Sequence, residues 1–188
     1  MSPQIVLFGP ECSGKSTLAA ALAEHYQGIL VAEHLRTYAQ DLWDTQKRTV
    51  TLEDSAALLD GQFDAQQQAL ALAQEKANYQ YPRPVIMDTN IEQLEVYFKY
   101  YFGVNWGQIP QEMLPTMDQV IYLLTQPDIP WQADDLRDRP LERDTLFSIF
   151  KAYLDEKGVR YKVMSGPHEQ RIKQACQFIN KTWPKLHV

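Results

Sequence analysis

The stretch Gly9-Pro10-Glu11-Cys12-Ser13-Gly14-Lys15-Ser16 closes an apolar run that begins at Gln4. It satisfies G-x-x-x-x-G-K-[ST] in the strand, loop, helix order that a phosphate-binding loop requires. Two glycines let the backbone wrap close to a phosphate, and successive N–H groups and the N-terminus of the next helix point inward. Lys15 then reaches the β- and γ-phosphates of a nucleotide and Ser16 ligates Mg²⁺. Gly9, Pro10, Glu11, Cys12, Ser13, Gly14, Lys15, Ser16 and Thr17 are therefore the expected ATP contacts. The plain alternative is an ordinary glycine-bearing turn. With glycine near 7% of residues, a chance match in a chain of this length is on the order of one in a hundred, so the turn is set aside.

Working outward, four more short β-branched runs read as strands: Ile29 to His34, Pro84 to Thr89, Gln119 to Thr125 and Tyr161 to Gly166. All five are too apolar for half-exposed antiparallel strands, and helical spacing fills the segments between them. That is the pattern of a parallel sheet covered on both faces, an α/β fold. The expected helices are Ser16 to Gln27, with Gly28 as a C-terminal stop; Leu52 to Lys76, capped by Thr51 or Asp54; Ile91 to Phe102, ended by Gly103; Leu141 to Lys157; and Glu169 to Lys181. In the second of these Leu58, Leu59, Phe63, Leu70 and Ala73 form the apolar set, while Gln66, Gln67 and Gln68 read as a solvated face. Pro127 to Asp138 is polar, proline-marked and rich in arginine, as a covering loop would be.

The whole chain of 188 residues is expected to form a single domain, residues 1–188, large enough to bury roughly 70% of its extended-chain surface. Forty-five per cent apolar and 22% charged residues exclude global disorder. Eighteen Lys plus Arg against 24 Asp plus Glu leave a net charge of −6, which opposes a nucleic-acid partner. Cys12 and Cys176 are too few for a disulfide framework or a zinc site, which fits a reducing cytoplasmic compartment. No apolar run approaches the roughly 18 residues that cross a bilayer, so no membrane partner is expected.

In open α/β sheets ligands sit at the carboxyl ends of strands. Asp88 ends a buried run there and suits holding Mg²⁺ or accepting a proton from an attacking hydroxyl; the other reading is a cap on the helix that starts around Thr89 to Glu92. Glu33 holds the analogous position after the second strand, with Arg36 three residues on, and the pair suits either acceptor recognition or a surface ion pair. Arg137, Arg139 and Arg143 follow the fourth strand, where a closing loop would carry them onto a transferring phosphoryl group. Four interleaved acids could instead neutralise them, and at least one of the three is expected to be structural. Trp131 either stacks on a planar substrate ring or packs against protein. The aromatic stretch from Tyr97 to Phe102, with Trp106, lines a pocket or belongs to the core. His25, His34, His168 and His187 lack ligand spacing, and Cys12 has no triad partner and reads as packing. Asn180-Lys181-Thr182-Trp183 lacks the acid of a guanine-reading signature.

Taken together, these stretches resemble one family, the ribosylnicotinamide kinase domain of the NadR type, a branch of the P-loop kinases. The resemblance rests on Gly9 to Thr17; Glu33-His34-Leu35-Arg36 with Tyr38; Met87-Asp88-Thr89; Tyr101-Phe102-Gly103; Asp128-Ile129-Pro130-Trp131 with Asp134 and Leu136-Arg137; and Ser165-Gly166 with Arg171. It implies a three-layer P-loop NTPase fold, a five-stranded parallel sheet in the order 2-3-1-4-5 and a lid after strand 4. It further implies transfer of the γ-phosphate of ATP to the 5′-hydroxyl of nicotinamide riboside, a step of NAD synthesis. By motif, Lys15, Asp88, Glu33 and Arg137 would be catalytic, Ser16 and Asp88 would serve Mg²⁺, and Arg171 would join the ATP site. Glu33, Arg36, Asp88, Trp131 and Asp134 would hold the nucleoside. Asn90 departs from the pattern, which often has an acid there, and the adenylyltransferase and DNA-binding domains of the larger proteins have no counterpart in this sequence. The alternatives carried forward are a P-loop ATPase used as a switch or interaction module, and a kinase for a different nucleoside.

Overall fold

Residues 2–75, 83–104, 109–110, 113–132 and 141–186 are described in the computed structural model. The five apolar runs form β1 (Gln4–Phe8), β2 (Ile29–Val31), β3 (Val85–Asp88), β4 (Val120–Thr125) and β5 (Tyr161–Met164). They pair side by side, all parallel, in the order β2-β3-β1-β4-β5. Side chains alternate across a strand, so each central strand feeds two cores. Val6 and Phe8 of β1, Val85 and Met87 of β3, and Val120, Tyr122 and Leu124 of β4 face one cluster; Ile5, Leu7, Ile86, Ile121 and Leu123 face the other. This is why the runs read as uninterrupted apolar sequence.

Helices α3 (Ser55–Glu75), α4 (Ile91–Phe102) and α5 (Arg143–Lys157) cover the first face, through Ala69, Ala73, Val96, Tyr97, Leu146, Phe150 and Leu154. Helices α1 (Lys15–His25) and α6 (His168–Thr182) cover the second, through Leu18, Ala19, Leu22, Ala175 and Ile179. The result is three layers around one sheet, and each large apolar side chain sealed between them, such as Leu18, Leu22, Phe150 or Ile179, contributes roughly 1.5–3 kcal/mol of burial.

Three sequence expectations change. The run Ile29 to His34 is strand only to Val31, and helix α2 (His34–Gln46), which periodicity did not indicate, begins at its end. Only Leu42 of α2 is fully buried, so its apolar stripe is thin. The glutamines of α3 are not all solvated: Gln62 and Gln66 are 0% and 3% exposed, on the same face as Leu58, Ala69 and Ala73. Their side-chain carbonyls accept from the backbone N–H groups of His34 and Ile91, at 3.1 Å each. These N–H groups begin α2 and α4 and have no partner within their own helices, so buried acceptors there satisfy a requirement of the fold. Finally, α1 ends at His25 with Gln27 in the left-handed region, and Gly28 serves close approach instead. A Cβ there would lie 2.3 Å from Ile86 Cδ1 and 2.8 Å from the Pro84 carbonyl.

Thr51 and Asp54 open the turn before α3 together, the Asp54 carboxylate accepting from the Thr51 backbone N–H at 2.8 Å. Gly103 ends α4 in the left-handed conformation, as its position in the sequence suggests.

Candidate nucleotide site at the carboxyl edge of the sheet

The loop leaving β1 turns at Gly9, whose φ is +135°. A Cβ there would meet the Thr125 carbonyl and hydroxyl oxygens at 2.9 Å, so only glycine lets the loop cross the end of β4. Gly14, at φ +83°, caps α1 and leaves the exposed Ser16 and Thr17 in the first helical turn. Ser13 is buried, its hydroxyl 2.7 Å from the Pro10 carbonyl and 2.6 Å from the Thr125 hydroxyl. Lys15 is 7% exposed and donates to the carbonyls of Gly9 at 3.0 Å and Pro10 at 2.9 Å. An ammonium group held by two neutral carbonyls at the mouth of a loop is ready to exchange them for anionic oxygens.

Two arginines brace this loop. Arg171, 2% exposed, has every guanidinium nitrogen committed to protein: Nε to the Gly166 carbonyl, Nη1 to the Ser13 carbonyl, Nη2 to the Gln126 carbonyl and to Asp128. It ties the loop to the segments after β4 and β5. Arg143, the first residue of α5, donates through Nη1 to the carbonyls of Cys12 at 3.1 Å and Ile129 at 3.0 Å, and its guanidinium carbon lies 5.5 Å from the centre of the Trp131 ring. Arg143 therefore performs the bracing task expected of at least one of the three arginines. The Cys12 sulfur accepts from the Gln132 backbone N–H at 3.2 Å, which fastens the loop to the start of the covering segment. Trp131 is half-buried. Asp134, Arg137, Arg139 and Trp106 lie outside the described residues.

Asp88 sits at the end of β3, paired in register with Leu7. It is 7% exposed, and its Oδ1 has no hydrogen-bond partner among the described residues. It does not cap α4. Asn90 does, its side-chain carbonyl accepting from the Gln93 backbone N–H at 3.2 Å. That is the physical use of Asn90, the residue at which the sequence departs from the pattern it otherwise resembles. Between them Thr89, 2% exposed, is held at φ +76°. A β-branched residue in that region stores about 1–3 kcal/mol of strain, which accumulates where a functional backbone is over-determined. The nearby Glu92 carboxyl is consumed within the protein, accepting from Asn90 Nδ2 at 2.9 Å and from the Tyr122 hydroxyl, and burial raises its pKa.

Glu33 lies two residues beyond β2, at the N-cap position of α2, and its side chain makes no capping hydrogen bond. Burial pushes its pKa up to about 7; Lys15 draws it down, Asp88 and Glu11 push it up, and Arg36 draws it down. Groups from the ends of three adjacent strands thus share one electrostatic neighbourhood, with a carboxyl poised to change charge near neutral pH.

Sequence reasoning missed Gln93. Its side-chain carbonyl accepts from the Gly9 N–H at 3.1 Å across 84 residues of chain. Asn90-Ile91-Glu92-Gln93 has the form of a capping box, which was the available signal, but the glutamine reaches the phosphate loop instead of its own helix. Tyr97 also points there, its hydroxyl 3.5 Å from the Gly9 carbonyl.

A Mg²⁺ ion fits this donor set. Ser16 offers an exposed hydroxyl, Asp88 an unpartnered buried oxygen, and no cluster of three or more His, Cys, Asp or Glu among the described residues could hold a metal alone. Mg²⁺ is ordinarily held by one or two protein oxygens together with substrate phosphates.

The family model of the AAA domain matches residues 4–171. Among solved structures, the NadR protein in complex with NAD and AMP-PNP is similar at 18% identity and a TM-score of 0.68, over 96% of this chain and 49% of that one. The NadR protein in complex with NR gives 19% and 0.69, over 96% and 50%. Deoxyadenosine kinase from M. mycoides gives 16% and 0.62, over 95% and 99%. The chain spans about half the length of the NadR chains it matches. No curated protein matches the sequence. The likenesses establish the fold, that of the P-loop nucleoside and nucleotide kinases, and no helix among the described residues is long and apolar enough to cross a membrane.

Proposed function

The chain belongs to the AAA domain family, and on that premise we propose that it is an ATP- and Mg²⁺-dependent kinase acting on a small nucleoside, with the 5′-hydroxyl of nicotinamide riboside as the acceptor. The observation that carries this reading is the convergence of Lys15, Asp88 and Glu33 at the carboxyl ends of β1, β3 and β2, where burial pushes the Glu33 carboxyl up to about 7. Transfer to an alcohol removes a proton from the attacking hydroxyl, and a carboxyl raised toward neutral pH suits accepting it; whether the attacking oxygen is an alcohol's or water's is what the acceptor panel below decides.

In this reading the β1–α1 loop holds the triphosphate and Lys15 moves from the loop carbonyls to the β- and γ-phosphate oxygens. Ser16 and Asp88 would hold Mg²⁺, which would offset negative charge on the phosphates. Glu33 accepts the proton of the acceptor hydroxyl as that oxygen bonds to the γ-phosphorus and the bond to the β-phosphate oxygen breaks, releasing ADP. Arg36 lies beside Glu33 and orients it or the ribose. Trp131 offers a ring face to the pyridine, and Arg171 keeps the loop in shape. Asp134 and Arg137 take the acceptor and lid roles that the NadR resemblance assigns to them. Incubation with MgATP and a panel of nucleosides, with products identified by mass spectrometry, tests the substrate. Nicotinamide mononucleotide is the expected product, phosphorylation of another nucleoside only would move the assignment to that substrate, and no phosphorylated nucleoside would refute the reading.

A further inference from the structure

Gln93 is 1% exposed, and the two ends of its amide are treated unequally by the protein. Oε1 accepts from the Gly9 N–H at 3.1 Å, and because a backbone N–H can only be met by an acceptor, this contact fixes which end of the amide is which. Nε2 is left with no acceptor among the described residues. A buried amide donor without a partner costs about 1–3 kcal/mol, so such groups ordinarily have a use. The Asp88 carboxylate, at the same end of the sheet, has the complementary lack, a buried oxygen without a donor. The two do not satisfy each other.

Location specifies the missing partner. The Gly9 residue that receives Gln93 at its N–H receives Lys15 Nζ at its carbonyl, at 3.0 Å. Covalent geometry holds the two heteroatoms of one amide roughly 2.3 Å apart, so Nε2 cannot leave this neighbourhood while Oε1 is engaged. The ammonium group of the phosphate-loop lysine is the part of the loop that reaches the terminal phosphates. A fixed N–H donor beside the lysine matches an acceptor-only, anionic oxygen, and a charge-assisted bond of this kind is about twice as strong as a neutral one.

We propose that Gln93 is a ligand-contacting residue of this site, its carbonyl held by Gly9 so that its amide N–H donates to an oxygen of the terminal phosphoryl group of a bound nucleoside triphosphate. The inference rests on the nucleotide-binding part of the functional reading and does not depend on the identity of the acceptor. It separates Gln93 from a residue that merely shapes the loop, because a shaping residue serves diphosphate and triphosphate alike.

Calorimetric titration of the full chain with ADP and with AMP-PNP, each with Mg²⁺, tests it in two variants. Gln93→Glu keeps an acceptor for the Gly9 N–H and loses the donor; Gln93→Met is neutral and loses both. Both are expected to weaken AMP-PNP binding by about tenfold or more, and by clearly more than they weaken ADP binding, since Gln93→Met also frees the Gly9 N–H that both nucleotides need in place. Thermal melts identify which variants remain folded, and the selective loss is read in the uncharged Gln93→Met, because Gln93→Glu adds a negative charge that repels the more anionic nucleotide whatever Gln93 contacts. Equal losses for both nucleotides in Gln93→Met, with Gln93→Glu behaving as wild type, would mean that Gln93 only holds Gly9 and would overturn the proposal. So would unchanged AMP-PNP affinity in a folded variant. A wild-type chain that binds neither nucleotide overturns it together with the nucleotide-site reading. A selective loss for AMP-PNP in a chain that phosphorylates no nucleoside supports it while refuting the kinase.

Discussion

At the scale of single residues, the contacts of Lys15 state its task. Its ammonium rests on two carbonyls of its own loop, a neutral environment that any phosphate improves. Lys15→Ala is expected to lower turnover by about 10²–10³-fold with the fold retained, as measured by steady-state rates alongside circular dichroism. Asp88 is buried with an oxygen unpartnered, so Asp88→Asn should abolish most activity yet leave the melting temperature equal or higher; a drop of several degrees would show that the carboxylate is structural. Glu33 makes two predictions. As the proton acceptor it must be ionised, so the rate should rise with pH through an apparent value near 7, and Glu33→Gln should lose that limb. For stability the sign is opposite. The folded chain holds the Glu33 proton up to about 7 against an ordinary value of 4.5, so this group's contribution is fully present below the lower value and lost as pH rises through the upper one. Thermal melts from about pH 5 to about pH 8 should therefore show wild type declining more than Glu33→Gln.

Among the elements, α3 does what its composition concealed. Glutamines are ordinarily solvated, but α3 lies against the first turns of α2 and α4, whose N–H groups need buried acceptors, and Gln62 and Gln66 supply them. One helix thereby sets the position of the segments that carry Glu33 and follow Asp88. Gln66→Leu should orphan the Ile91 N–H and destabilise the chain by about 1–3 kcal/mol in a denaturant titration; a neutral result would mean that the contact is dispensable. These elements also mark the limits of sequence reading. β1, α1 and the loop between them were legible because strand, glycine spacing and helix start are local signals. Helix α2 was not, because only Leu42 is fully buried, and Gln93 was not, because its partner is brought to it by the sheet.

For the whole molecule, the order β2-β3-β1-β4-β5 explains why the site forms where it does. The chain leaves β1 toward β2 on one side and, after β3, crosses to β4 on the other, so a crevice opens at the carboxyl end of β1, whose neighbours are β3 and β4. Glu33, Asp88 and Lys15 converge there although they are far apart in the chain, and Thr125 closes the floor beneath Gly9. The parallel class was readable from buried, uninterrupted strands, and the candidate acids from their positions at strand ends. The protonation of Glu33 could not be read, since it follows from burial and from neighbours on other strands. The most direct test of the account is the initial rate of ADP release from MgATP, with and without nicotinamide riboside. The account predicts release that depends on the acceptor and is lost in Asp88→Asn; hydrolysis at the same rate with no acceptor present would contradict it.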